Sequence, residues 1–188
     1  MAKKRKPDRR IRRTRRQLFR ALYNLITVMP YDEISVSRIV DEADISRATF
    51  YLHYKDKHEL LIGSLESLVA ELTETLQNMP LSDLQSIALH IFQHVHDHHA
   101  LYQAIHHADT ASFVMLNGWV DILQTYLKNT PASDDKDPIM IDMAAHQMAG
   151  GLYALILWWF KYDMRYSPQD MAQKFSDFRM PRSKPPTN

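Results

Sequence analysis

A chain of 188 residues that is 45% hydrophobic and 24% charged has the apolar content of an ordinary folded protein, enough for a sizeable core. It has no cysteine, which excludes disulfides, thiolate chemistry and Cys-ligated metals. The net charge of +1 conceals an asymmetry, because residues 1–20 hold eleven Lys/Arg and one acid (+10) while the remainder holds twelve Lys/Arg and twenty-one acids (−9).

No run approaches the roughly 18 apolar residues of a membrane span, so no membrane segment is expected. The basic N-terminus has no apolar stretch behind it and does not read as a secretory signal. The expected address is the cytoplasm, in association with the nucleoid.

Glycine is scarce, with four residues, and alternating β-branched runs are nearly absent, so the pattern is helical throughout. A first helix is predicted over Arg10–Met29, with Leu18, Leu22, Leu25, Ile26 and Met29 on one face. Pro30 ends it, and Tyr31-Asp32-Glu33 forms a connection. Ser35 caps a short helix from Val36 to Ala43. Asp44-Ile45 then turns the chain, since Asp tolerates the left-handed conformation better than most residues. Ser46 caps a helix over Arg47–His53. Asp56 caps a long helix to about Gln77, with Glu59 at the capping-box position. Beyond Pro80, helices are predicted near 82–96, 98–108, 110–129, 138–163 and 168–178, with the clearest loop at 129–138. The expected architecture is all-α. A basic disordered arm (1–9) precedes a three-helix DNA-binding domain (10–62), joined through helix four to a larger helical ligand and dimerisation domain (63–178). A disordered tail (179–188) follows.

The chemistry sits in residues 36–53. A helix of about eight residues, a tight turn and a second capped helix fit a helix-turn-helix, whose second helix enters the major groove. Its outward residues are Arg47, Ala48, Thr49 and Tyr51, while Phe50 and Ile45 read as core. Arg47 is the candidate for guanine, because its fork matches the O6/N7 pair. Ser35 and Ser37 open the bracing helix and join the candidate DNA contacts. His53 reads equally as contact or local packing. Tyr54, Lys55 and Lys57 lie at the start of helix four, where ammonium groups and free helix N–H groups favour phosphate. The basic arm alone is compatible with a solvated tail, a membrane surface or a phosphate backbone. Next to this motif, and without interleaved aromatic anchors, it reads as a clamp on DNA, with Arg10 and Arg13 as contacts.

The segment Ile34-Ser-Val-Ser-Arg-Ile-Val-Asp-Glu-Ala-Asp-Ile-Ser-Arg-Ala-Thr-Phe-Tyr-Leu-His-Tyr-Lys-Asp-Lys-His-Glu-Leu-Leu61 closely resembles the N-terminal region of the TetR/AcrR family of bacterial transcription regulators. The resemblance covers residues 10–62. It implies that Thr49, Tyr51 and Lys57 meet phosphates or bases, and that His53 is the histidine of the family's Tyr-x-His-aromatic unit. Two departures stand out: Asp44 takes the place of the usual turn glycine, and Ala48 that of a common glycine in the recognition helix. The resemblance also implies a repressor, double-stranded operator DNA as partner, and a small-molecule effector.

A single short recognition helix makes few contacts, so two copies on a pseudo-palindromic site are expected. The stretch 143–160 is apolar around most of its circumference, as a helix buried on more than one side would be. With the helix after Ser167 it resembles the family's dimer-forming pair, giving Gly150, Gly151, Ala154, Leu155, Trp158, Met171 and Phe175 as interface candidates. Phe92, Tyr102, Phe113, Met115, Trp119, Met148 and Tyr153 could line an effector pocket or simply be core. Seven histidines lie between His90 and His107, and His90, His94 and His98 recur every four residues, as metal ligands on one helix face do. A metal-responsive regulator and a DNA-tethered protein-interaction module are the alternatives. No cofactor is expected, and no metal beyond those weak candidates. No glycine-rich phosphate loop, Gly-x-Ser-x-Gly elbow or His-Glu-x-x-His is present, so no enzyme is expected.

Overall fold

The computed structural model describes residues 9–77, 84–106, 109–129 and 137–177, and every regular element among them is helical. The predicted arm up to residue 8, the tail after 179, most of the loop near 129–138 and His107 lie outside the described residues, while Arg9, placed at the end of that arm, is the first residue of a helix. Two compact units emerge. One comprises the described parts of Met1–Leu68 with His99–Met115, the other those of Val69–His98 with Leu116–Asn188.

In the first unit, α1 (Arg9–Val28) buries Leu18, Ala21 and Leu22. Leu25, Ile26 and Met29 of the predicted face are only half-buried. A 3-10 turn, η1 (Tyr31–Glu33), follows Pro30. Helix α2 (Val36–Glu42) starts where the Ser35 hydroxyl accepts from Arg38 N at 3.3 Å. Helix α3 (Arg47–Tyr51) starts where Ser46 accepts from Thr49 N at 3.1 Å. It closes two residues before the predicted end, with His53 N donating to Phe50 O at 2.9 Å in a tighter final turn. Helix α4 (Lys57–Gln77) is capped by Asp56, whose Oδ1 accepts from His58 N and Glu59 N at 2.8 Å. Glu59 reaches back to Lys55 N at 2.5 Å, a capping box displaced by one residue. Leu18, Leu22, Ile34, Ile39, Phe50, Leu60, Leu61 and Leu65 are buried together. Each contributes about 1.5–3 kcal/mol by leaving water, and this core holds α2 and α3 as a pair. Helix α6 (His99–His106) packs on α1, and the first part of α7 (Asp109–Lys128) joins the same unit.

In the second unit, α5 (Leu84–Asp97) pairs with α9 (Pro168–Asp177), burying Ile87, Ile91, Phe92 and Val95 with Met171 and Ala172. Phe92 meets Trp159 edge-on at 5.6 Å and Phe175 at 6.4 Å. A Cβ on Gly118 of α7 would lie 2.1 Å from Val69 Cγ1, so the approach of α4 and α7 depends on a missing side chain.

Helix α8 (Pro138–Lys161) corrects one expectation. Its 24 residues include an 18-residue window of mean hydropathy 1.2, long and apolar enough by those measures to cross a membrane. Its buried stripe of Ile141, Ala145, Ala149, Leu152, Ile156 and Trp159 recurs every three or four residues, the pattern of a core helix. Only 28% of that window is buried, and Ile139, Met140, Met143 and Trp158 stand open on the remaining surface. The sequence hid the length because Gln147, His146 and the two glycines interrupt any apolar run.

Asp137 caps α8 by accepting from Ile139 N at 3.0 Å. Its far end passes through two successive left-handed residues, Asp163 (φ 52°) and Met164 (φ 50°), with Met164 N on Trp159 O at 2.9 Å. The buried Trp159 indole donates to Tyr166 O at 3.0 Å and pins the turn. Ser167 and Asp170 then form a reciprocal box at the start of α9, which holds the Asp170 carboxyl below its ordinary pKa through the Ser167 hydrogen bonds.

Candidate nucleic-acid interface

The joint between α2 and α3 is a Schellman turn. Ile45 N donates to Val40 O at 3.0 Å and Asp44 N to Asp41 O at 3.3 Å, with Asp44 left-handed at φ 51°. A non-glycine residue there has its Cβ crowded by its own carbonyl, and Asp is among the few that accept it. The turn sets α3 on the buried Phe50 ring, which is 0% exposed. Around that anchor, Arg47 and Ala48 are exposed, Tyr51 is 58% exposed and Leu52 83%. Among the described residues no hydrogen bond or ion pair engages Arg47, so its fork is available to a groove edge.

The other predicted contacts divide. Thr49 is half-buried, its hydroxyl 2.9 Å from Ser46 Oγ within the cap. Ser35 accepts from Arg38 N and keeps its own O–H to donate; Ser37 is half-buried and Lys55 exposed. Burial first, and then the Arg15 guanidinium, lower the His53 pKa from its ordinary value. The structure places the Tyr54 ring in the seam between α3 and α4, not on the outward surface as expected. The ring lies 6.1 Å from Phe50 and under Arg15 at 5.8 Å, and a Cβ on Gly63 would meet it at 3.2 Å. That burial raises its phenol pKa.

Lys57 also departs from its predicted role as an open phosphate contact. Its ammonium donates to Tyr31 O at 3.0 Å and Asp32 O at 3.1 Å, closing η1 onto α4. Tyr31 is itself buried, with its hydroxyl 3.2 Å from His58 Nδ1 and its phenol pKa raised chiefly by burial. Two donors of the ammonium are engaged, which leaves the third and the charge for a phosphate.

Sequence reading missed Leu52, because a leucine between aromatics reads as core. It also missed Tyr31, whose partner is 26 residues away. Arg10 and Arg13, named as contacts within the predicted clamp, are exposed on α1; a helical projection brings Arg9, Arg12 and Arg16 of the same clamp, and Arg20 beyond it, into line with Arg13.

The effector candidates are not one cluster. Trp119 and Tyr153 meet at 6.3 Å in the second unit, where Met148 is half-buried. Phe92 belongs to the α5–α9 core, and Tyr102 and Met115 are buried residues of the first unit. Nothing is described of the Phe113 side chain. Of the dimer candidates, Gly150, Gly151, Ala154, Leu155 and Trp158 lie on the open or half-open part of α8, and a Cβ on either glycine would meet nothing within 4 Å. Met171, at 2% exposure, is instead spent within the chain on α5, while Phe175 meets Phe92 and remains half-buried. The histidines do not converge: His90 Nδ1 faces Ser86 O at 2.7 Å, while His94 and His98 pair ring to ring at 4.8 Å. Among the described residues no group of three or more His, Asp or Glu is placed to hold a metal.

Comparison with known proteins matches this architecture. Residues 17–63 fit the bacterial regulatory protein family called tetR, and residues 82–180 fit a transcriptional regulator C-terminal region of the same family. The uncharacterised HTH-type transcriptional regulator YxbF of Bacillus subtilis strain 168 is 26% identical over 164 residues, 84% of this chain. The chain spans 42% of that relative's length. Among solved structures, the dihydroxyacetone kinase operon activator DhaS has the same fold, with a TM-score of 0.70 at 22% identity over 86% of this chain and 91% of its own. So does the fatty acid degradation regulator FadR of Bacillus halodurans, at 0.68 and 17% over 93% and 95%. With a helix-turn-helix on its N-terminal family match and an all-helical body on its C-terminal one, the chain belongs to the TetR family of DNA-binding transcriptional regulators.

Proposed function

We propose that this protein is a homodimeric repressor that reads a pseudo-palindromic operator and leaves it when a small molecule binds the body. The observation that carries the reading is α3 itself: Phe50 is fully buried beneath it, while Arg47, Ala48, Tyr51 and Leu52 stand open. A helix of five residues contacts few base pairs, and a specific affinity needs a second copy half a site away. The open apolar side chains of α8 support a second chain as their cover. Repression needs no contact with polymerase, because a dimer seated across a promoter excludes it sterically. The cytoplasm, where the chromosome lies, is its place of action.

The effector reading rests on Trp119. Its ring is 0% exposed, and its indole N–H has no hydrogen-bond acceptor among the described residues. A buried donor left so costs about 1–3 kcal/mol, which an acceptor atom on a bound molecule would relieve. The Tyr153 ring stands 6.3 Å away, so the molecule inferred has at least one hydrogen-bond acceptor beside an aromatic face. The role of the Bacillus halodurans relative in fatty acid degradation supports that class.

Selection from random duplexes, followed by footprinting, tests the reading: it predicts two half-sites in inverted repeat, about one or two helical turns apart. Light scattering at micromolar concentration should give twice the chain mass. A single unrepeated half-site with a monomer in solution overturns it.

A further inference from the structure

Helix α1 carries a feature that the groove-reading surface does not use. Arg9, Arg12, Arg13, Arg16 and Arg20 follow one another at spacings of i, i+3, i+4, i+7 and i+11, and all five are exposed. With the half-buried Gln17 they line an open groove of about 660 Å³ along the helix. At 100° per residue this stripe lies opposite the Leu18 and Leu22 face that packs into the core. No acidic side chain is present anywhere in α1, and among the described residues no ion pair neutralises any of the five. Five like charges on one face repel one another, so the stripe has an anionic partner to gain.

We propose that this stripe is a second, sequence-independent DNA surface, a track for the phosphates of duplex flanking the operator. It rests on the reading of α3 as the groove reader and adds a contact away from it. The charge spacing fits: Arg9 to Arg20 spans about 16 Å of helix axis, close to the roughly 17 Å of duplex axis between the first and last of six successive phosphates of one strand. Arginine forks suit phosphate oxygens. A membrane surface fits less well, because a helix that lies on lipid inserts its apolar face, and the apolar face of α1 is already spent on Leu18, Ala21 and Leu22.

The test uses the full chain and three duplexes: the minimal selected operator, the same operator with about ten random base pairs on each side, and a random 40-base-pair duplex. Affinity is followed by anisotropy against salt for the wild type, for Arg12→Gln/Arg16→Gln/Arg20→Gln, and for Arg47→Ala. All three arginines are exposed, so the fold should persist, as circular dichroism can verify. The track predicts a steeper salt slope for the wild type on the flanked operator than on the minimal one. The triple variant should lose that excess, a slope change of about 2.7, which amounts to about 40-fold less affinity lost between 50 and 200 mM salt. Its preference for operator over random duplex should be unchanged. Equal wild-type slopes on the two operators, or a triple variant that keeps the excess, overturn the track, as does a variant defect confined to vesicles containing phosphatidylserine. If selection yields no operator, the groove reading fails on its own. A lower triple-variant slope on the random duplex then still supports the track, and an unchanged one overturns it.

Discussion

The Lys57 ammonium lies 4.6 Å from the centre of the Tyr31 ring and donates to that residue's carbonyl at 3.0 Å, tying the start of α4 to a turn 26 residues earlier. One side chain thus joins the entry of the helix-turn-helix to its exit. Lys57→Met keeps the stem but strips the donor from two carbonyls. It should lower stability by about 1–2 kcal/mol in a urea titration. It should also weaken specific and random duplexes by the same factor. If stability is unchanged, the two carbonyl bonds contribute nothing.

Arg47→Ala should have the opposite profile. The side chain is exposed, so the unfolding midpoint should stay put. Discrimination at one base pair of the operator should fall by about 1–3 kcal/mol, seen as a five- to 150-fold relaxation in a competition assay. Retained discrimination at every position would remove Arg47 from the groove.

The turn at Asp44 carries local strain, since φ is 51° at a residue with a Cβ. Asp44→Gly relieves it and should stabilise the unit by about 0.5–1 kcal/mol in spite of glycine's greater freedom when unfolded. A melt that moves downward shows that the Asp conformation is not strained.

Gly118→Ala should act in the other direction. The new methyl would meet Val69 Cγ1 at 2.1 Å, and Val69 is a stiff, buried side chain. The expected loss is about 1–3 kcal/mol. Adding Val69→Ala should recover much of it, and a double variant no better than the single one places the strain elsewhere.

Burial holds the His98 pKa below its usual 6.5, outweighing the opposing pull of Asp97 and Glu71. The unfolded chain therefore takes up this proton more readily than the folded one, so stability is full above pH 6.5 and falls as the pH drops through the folded value. Thermal midpoints between pH 7.5 and 5.5 should decline, and His98→Gln should flatten the decline. An equal slope in the variant assigns the acid sensitivity to other groups.

The helices and their starts were legible because the signals are local. Ser35, Ser46, Asp56 and Asp137 each accept from a backbone N–H two or three residues on, and nothing distant alters that geometry. Asp44 was readable for the same reason. The outward residues of α3 followed from the motif, but Tyr54 did not, because its place against Gly63 is set by how α3 meets α4. Lys57 was read as a charge beside a helix start, which it is, while its grip on Tyr31 and Asp32 depends on a fold that periodicity does not encode. Met171 was assigned to a partner because the helix pairing resembled a dimer face; its burial against α5 keeps it within the chain.

All three tryptophans belong to the second unit: Trp119 and Trp159 are fully buried and Trp158 is 37% exposed. The DNA-reading unit holds no tryptophan and absorbs near-ultraviolet light through tyrosine, at Tyr31, Tyr51, Tyr54 and others, and more weakly through phenylalanine. Emission excited at the red edge therefore comes only from the body, whereas tyrosine emission mixes the reading unit with Tyr126, Tyr153, Tyr162 and Tyr166 of the body. The chain thus holds an optical reporter of the body alone, without any label attached.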